Sequence, residues 1–199
     1  KYDAIHSDVQ WCMMEAGSPE KVVDYLTNNI MDELKEVYPS EIPDSTQTVY
    51  GAMSRIREAT GKKFVVIIDE WDAPIRDIKL SQKAQDDYIN FLRGMFKGVE
   101  PTKFISLAYL TGILPIKKVM SESSLNNFMQ CTMLSPGPLA RYVGFTEEEV
   151  KALCDKYGRD FMKVKHWYDG YEIGGYHVYN PNAVVSLMAD GNFQSYWSQ

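Results

Sequence analysis

Phe64-Val-Val-Ile-Ile-Asp-Glu-Trp-Asp72 joins five apolar residues directly to three carboxylates. The apolar residues do not alternate with polar ones, and four are β-branched, which favours a strand covered on both faces in a parallel sheet. Open α/β sheets place their ligands at the carboxyl ends of the strands. We therefore predict that Asp69, Glu70 and Asp72 lie at the ligand-binding edge of a parallel sheet.

The segments on either side of this strand predict an α/β fold. A helix is predicted over residues 81–97 and a second, mostly buried strand over residues 103–112. Strand, helix and strand in this order form a βαβ unit, whose strands are parallel. Shorter strands are predicted over residues 5–12 and 129–134. The first half of the chain is therefore predicted to be α/β.

The last third of the chain predicts a small separate subdomain. Thr146 and Glu149 have the spacing of a capping box at a helix start. A hairpin is predicted around the two-glycine turn Gly174-Gly175, and a last helix follows it. We predict an α/β core over residues 1–141 and this helical subdomain over residues 142–199.

Composition restricts the class of protein. The chain has 199 residues, 45% hydrophobic and 24% charged, which is ordinary for a globular protein. A formal charge of −6 argues against nucleic-acid binding through positive charge spread over the whole surface. Cys12, Cys131 and Cys154 lie far apart, as expected of reduced thiols, and the histidines show no metal-ligand spacing. Without a signal peptide or a membrane-length apolar run, we expect a cytoplasmic protein with no membrane partner.

Asp69 and Glu70 have the arrangement called Walker B in nucleotide-hydrolysing enzymes. There the first acid holds Mg²⁺ and the second polarises the attacking water, so the two stand together at a strand end. Thr111 follows the next strand, where a sensor of the γ-phosphate would lie. The alternative is a strand that simply ends in solvated acids, which is common.

The matching phosphate-binding loop is absent from the sequence. No Gly-x-x-x-x-Gly-Lys-Ser/Thr occurs in the 199 residues. Gly61-Lys62-Lys63 precedes the strand and has Lys63 where serine or threonine is required. We interpret it as a helix-end turn with basic neighbours.

Six motifs in order make the chain recognisable. They span residues 66–72, 110–116, 124–128, 144–150, 167–171 and 178–181. With them the chain closely resembles the bacterial AAA-ATPase-like family, whose members often carry a restriction-endonuclease-like nuclease domain at the carboxyl terminus. The resemblance covers most of the chain from about residue 61 to residue 190.

The resemblance implies a parallel-sheet P-loop NTPase-like core with a helical, winged-helix-like lid. It implies that the Walker A segment and its strand lie upstream of Lys1, and the nuclease domain beyond Gln199. The intact parent would use ATP and Mg²⁺ and could meet nucleic acid through its nuclease domain. The fragment would require no cofactor.

Site roles follow from the Walker B arrangement and the resemblance. Asp69 would organise Mg²⁺, Glu70 would activate water and Thr111 would sense the γ-phosphate. Arg141, at the join of core and subdomain, is a candidate sensor arginine. Two other functions remain open: a non-catalytic module that regulates an attached nuclease, and a metal-dependent phosphohydrolase that uses Asp69, Glu70 and Asp72.

A missing P-loop strand has a structural consequence. It would lie beside the strand that ends at Thr111, so its absence leaves an unpaired sheet edge that invites pairing. We expect residues 104–110 to be covered by another chain, giving self-association, or by a rearrangement around residues 128–134.

Overall fold

A computed structural model describes residues 2–116 and 127–195. The chain divides into two compact units, Lys1–Phe128 and Met129–Gln199. Both combine helices with a three-stranded sheet. The chain is therefore mixed α/β. Most of the loop predicted over residues 121–127 lies outside the described residues.

The first unit contains a parallel sheet. Its strands are β1 (Asp3–Asp8), β2 (Phe64–Asp69) and β3 (Ile105–Leu110), in the order β1-β2-β3. Both pairings are parallel, with Asp8 opposite Asp69 and Ile68 opposite Leu110. The predicted parallel α/β arrangement is confirmed, and the three strands end at the same edge.

Helices connect the strands of the first unit. They are α1 (Val9–Glu15), α2 (Val22–Val37), α3 (Val49–Thr60), α4 (Ala73–Arg76), α5 (Gln82–Phe96) and α6 (Pro101–Phe104). Side chains of Thr48 and Ser81 cap α3 and α5 by accepting backbone N–H groups, and Gly61 ends α3 with a left-handed backbone.

One hydrophobic core holds this unit together. Every second residue of β2 is buried (Phe64, Val66 and Ile68), and the residues between are half-buried. The same core includes Leu26 of α2, Ile56 of α3 and a group from α5, namely Tyr88, Leu92, Met95 and Phe96. The core face predicted for α5 is confirmed, and β2 has one face more deeply covered than the other.

Local predictions near the strand ends were wrong in three places. The strand predicted over residues 5–12 stops at Asp8, because the Asp8 carboxylate accepts the Trp11 N–H and starts α1. Residues 73–76 form the short helix α4 where an exposed loop was predicted. Pro101 starts a helical turn, so β3 begins only at Ile105.

Strand β3 forms an exposed edge. Among the described residues it pairs with β2 alone, and Leu107 and Tyr109 are 57% and 44% exposed. The predicted burial of this strand was wrong, and the expected covering of its edge stays a prediction. Residues 129–134 form no strand; Thr132 instead makes an isolated bridge with Ser135. Among the described residues, β3 is therefore an edge strand of this sheet.

The second unit combines a hairpin with helices. Its strands are β4 (Phe145–Thr146), β5 (Asp169–Ile173) and β6 (Tyr176–Tyr179), in the antiparallel order β4-β6-β5. Its helices are α7 (Glu147–Tyr157), α8 (Phe161–Tyr168) and α9 (Pro181–Asp190). The capping box at Thr146 is present, and both turn glycines have positive φ. A core around Val150, Val164 and Leu187 closes the unit.

A charged cluster links the start of α7 to α8 and the hairpin. The Lys165 ammonium lies 2.5 Å from the Glu147 carboxylate and 4.0 Å from that of Asp169. His177 Nδ1 lies 3.1 Å from Asp169. The hydrogen bond from Lys165 lowers the pKa of Glu147, and the same bond raises the pKa of Lys165. The ion pair between Lys165 and Glu147 therefore stabilises the unit only while both side chains are charged.

We expect Lys165→Met to lower the unfolding midpoint most between about pH 5 and pH 10. The lowered pKa of Glu147 means that its contribution is lost as pH falls through values below 4.5. The raised pKa of Lys165 means that its contribution is lost as pH rises above 10.5. Thermal unfolding followed by circular dichroism across this range measures the difference. Lys151→Met, on the exposed face of α7, is the control. A difference in unfolding midpoint between wild type and Lys165→Met that does not change with pH would contradict a role for this ion pair.

Candidate functional site

The strands β2 and β3 end side by side at the carboxyl edge of the parallel sheet. Backbone pairing continues beyond the strands, because Thr111 N donates to Ile68 O and Trp71 N donates to Thr111 O, each at 2.9 Å. Residues 69–72, here called the acidic tip, therefore lie against residues 111–114, here called the β3 loop. This is the edge at which sheets of this class bind ligands.

Asp69 and Thr111 are in direct contact at this edge. The Thr111 hydroxyl donates to Asp69 Oδ1, and the Glu70 N–H donates to the same oxygen at 3.0 Å. Asp69 is exposed to solvent. No hydrogen bond reaches Asp69 Oδ2 within residues 2–116 and 127–195, which leaves one carboxylate oxygen free for a ligand.

Asp72 has a different environment from Asp69. Its side chain is fully buried, and its Oδ2 accepts hydrogen bonds from Ile113 N at 3.1 Å and Leu114 N at 2.7 Å. Arg76 Nε lies 3.1 Å from the same oxygen. Asp72 thus holds the β3 loop against the acidic tip and is not offered to solvent as a metal ligand.

Glu70 is held by Arg76. The guanidinium donates through Nη2 to Glu70 Oε2, and both side chains are about one-third exposed. The Glu70 backbone has φ of +50°, a left-handed conformation that a residue with a Cβ rarely adopts. Sequence reasoning missed Arg76 because it placed the residue in an exposed loop. The spacing of Asp72 and Arg76, one helical turn apart, was the available signal.

Tyr88 supports the acidic tip from α5. Its hydroxyl donates to the Trp71 carbonyl at 2.7 Å, and the side chain is fully buried. Burial, and then the charge of Asp72, raise the pKa of Tyr88 well above its ordinary value. The hydroxyl therefore stays protonated and remains a donor.

Gly112 permits the close approach of the β3 loop to the acidic tip. A Cβ at this position would lie 2.5 Å from Asp72 Oδ1 and 2.7 Å from the Trp71 ring. Asp72 and Trp71 are both buried and cannot move aside without disturbing the core.

An open groove of about 510 Å³ borders the end of α4. Its lining includes Met13 and Met14 of α1, Gly17, Arg76 and Asp77. Arg76 therefore contacts both the acidic tip and the groove.

The second unit contains one predicted site residue and one cluster that was not predicted. Arg141 lies in the 3₁₀ turn Gly137–Tyr142 with its guanidinium 5.4 Å from the centre of the Tyr142 ring, and its sensor role stays a prediction. Glu147, Asp169 and His177 offer possible metal-ligand atoms within 4.8 Å of one another. Their separation in sequence hid this cluster. Because the Lys165 ammonium already lies between the carboxylates, the cluster is best described as an ion-pair network.

The residues present fit half of a magnesium-nucleotide site. Carboxylate oxygens are preferred Mg²⁺ ligands, and Asp69 offers one at the sheet edge. The motif Gly-x-x-x-x-Gly-Lys-Ser/Thr does not occur in the 199 residues, and Gly61 ends α3 with a left-handed backbone. Asp69 could hold the ion.

We expect Gly112→Ala to lower the free energy of unfolding by about 1–3 kcal/mol, the usual cost of overpacking. The added Cβ would press on the Asp72 carboxylate and the Trp71 ring. Urea denaturation measures the change. Gly170→Ala is the matched control, because a Cβ there meets nothing within 4 Å. Equal stability of the two variants would contradict this packing.

Tyr88→Phe should lower the free energy of unfolding by about 1–3 kcal/mol, because it leaves the buried Trp71 carbonyl without its hydrogen-bond donor. Denaturant unfolding gives the value. Tyr50→Phe, at a partly exposed position on α3, controls for loss of a hydroxyl. A Tyr88→Phe variant as stable as that control would show that the hydrogen bond contributes nothing.

Comparisons with known proteins identify the family. A family model described as "Predicted AAA-ATPase" matches residues 2–120. An uncharacterized protein of the vnfD 5′ region of Azotobacter chroococcum mcd 1 is 30% identical over 142 residues, 70% of this chain. The chain spans 27% of that relative's length.

No solved structure matches the chain significantly. Within the described residues, no helix has both the length and the apolar character needed to cross a bilayer. The family model covers more than half of the chain and includes the whole acidic tip and Thr111. The chain therefore belongs to the predicted AAA-ATPase family.

Proposed function

We propose that this chain contributes the Walker B half of an ATP-hydrolysing site and that the full-length protein hydrolyses ATP with Mg²⁺. The observation that carries the proposal is the contact between the Thr111 hydroxyl and Asp69 at the shared carboxyl edge of β2 and β3. Membership of the predicted AAA-ATPase family supports it.

The sheet order is consistent with a P-loop NTPase-like core. In the fold that the resemblance implies, the P-loop strand lies beside the strand that ends at Thr111. The outer edge of β3 is open in the described chain, and Leu107 and Tyr109 are exposed there. We propose that the P-loop strand occupies this edge in the full-length protein, and that without it the edge favours self-association.

The proposed roles divide the chemistry among three residues. Bound Mg²⁺ and ATP would supply the phosphoryl group and neutralise its developing charge. Asp69 would hold the ion through its free Oδ2, and Glu70 would orient water and accept its proton. Thr111 would hold Asp69 in place without nucleotide, and its hydroxyl would turn from Asp69 to donate to the γ-phosphate of bound ATP. Arg141 is proposed as a further contact to that phosphate.

The chain alone is proposed to be inactive. It has no Walker A sequence, so nucleotide phosphates would lack their backbone cradle. Nucleic acid is proposed as a partner only through an attached nuclease domain of the full-length protein.

A non-catalytic role is the second candidate. It is favoured by the engagement of all three acids of the tip within the chain, Asp69 by Thr111, Glu70 by Arg76 and Asp72 by the β3 loop. Such a network would also suit a scaffold that positions a neighbouring domain. The geometry does not favour a phosphohydrolase that uses Asp69, Glu70 and Asp72, because Asp72 is fully buried.

Steady-state ATP hydrolysis by the full-length protein tests the proposal. Glu70→Gln should lower kcat by a factor on the order of 10²–10⁴, the usual contribution of a general base. Glu36→Gln, on the exposed side of α2, removes the same charge elsewhere and should leave kcat unchanged.

Two outcomes would overturn the proposal. One is a full-length protein without ATP turnover. The other is turnover that Glu70→Gln does not change. If Asp69→Ala and Glu70→Ala also leave the activity of an attached domain unchanged, the non-catalytic role is supported instead.

A further inference from the structure

Arg76 connects the proposed water-activating residue to the buried centre of the site. Its Nη2 donates to Glu70 Oε2, and its Nε lies 3.1 Å from Asp72 Oδ2. Asp72 is fixed, since it is fully buried and also bonded to two backbone N–H groups of the β3 loop. Arg76 therefore holds Glu70 to a rigid anchor.

This arrangement keeps Glu70 in a disfavoured backbone conformation. Among the described residues, Glu70 alone combines a Cβ with a positive φ, at +50°. Such conformations persist where the surroundings over-determine them. Here the restraints include the ion pair with Arg76, the hydrogen bond from Glu70 N to Asp69 Oδ1 and the hydrogen bond from Ala73 N to Glu70 O at 2.9 Å. The ion pair is the restraint that acts on the Glu70 side chain.

Arg76, unlike Asp72, has room to move. It is the last residue of the four-residue helix α4, and its side chain is 31% exposed. The groove of about 510 Å³ lies beside it, lined in part by the flexible side chains of Met13 and Met14. The Nη groups of Arg76 can therefore leave Glu70 and turn toward the groove while Nε stays beside Asp72 Oδ2.

We propose that Arg76 is a latch that restrains Glu70 until their ion pair opens. This inference rests on the proposed function, in which Glu70 activates water. In the closed arrangement the guanidinium holds the Glu70 carboxylate in one position through Oε2. The ion pair has to open before the carboxylate can turn toward the attacking water and take its proton. Arg76 is thus a positioning residue that acts through Glu70 and limits turnover.

The test measures kcat and KM for ATP in the full-length protein at saturating Mg²⁺. Arg76→Gln should raise kcat about fivefold, the factor that corresponds to an exposed ion pair of ~1 kcal/mol, and leave KM unchanged. Increasing salt should raise kcat of the wild type at saturating ATP, because salt screens the pair, and should have a smaller effect on Arg76→Gln. Arg55→Gln, an exposed arginine on α3, is the matched control.

A second variant shows whether a change in kcat comes from loss of the ion pair or from misfolding. Arg76→Lys keeps a positive charge beside Asp72 but lacks the planar fork that reaches two carboxylates together. It should also raise kcat, by less than Arg76→Gln. A purely structural role for Arg76 predicts the opposite, a fall in kcat for both variants.

Glu70→Gln separates failure of the latch from failure of the proposed function. If Glu70→Gln abolishes turnover but neither Arg76→Gln nor Arg76→Lys raises kcat, the latch is wrong and the ATPase proposal stands. If Glu70→Gln has no effect alone or combined with Arg76→Gln, the proposed role of Glu70 is wrong, and the latch with it.

Discussion

The buried carboxylate of Asp72 is the interaction on which the rest of the site depends. Removing a carboxylate from water is costly unless hydrogen bonds and an opposite charge offset that cost. Here two backbone N–H groups of the β3 loop and the guanidinium of Arg76 do so. As a result, the acidic tip of β2 and the loop after β3 form one rigid unit, in which Asp69 meets Thr111.

The strand β2, the helix α5 and the turn at Gly61 that ends α3 could be predicted because their signals are local. An apolar β-branched run, capping side chains and a closing glycine act on neighbouring residues. The limits of β1 and β3 were predicted less well. Asp8 diverts the chain into α1 by a single capping bond, and the exposure of β3 depends on which strand lies beside it. Pairing of this kind involves distant residues, so no local pattern reports it.

The candidate site could be predicted in part for the same reason. Asp69 and Thr111 end neighbouring parallel strands, and parallel topology alone places their side chains at one edge. The buried role of Asp72 and the pairing of Arg76 with Glu70 could not be predicted in this way. Both depend on the helical turn α4 and on the left-handed backbone at Glu70, which tertiary contacts impose.

The proposed function depends on Asp69 holding the magnesium ion of a bound nucleotide. Calorimetric titration of ATP into the full-length protein, with and without Mg²⁺, tests it most directly. We expect tight binding only with Mg²⁺, and loss of this magnesium dependence in Asp69→Asn. Nucleotide binding with the same magnesium dependence in wild type and Asp69→Asn would contradict the claim.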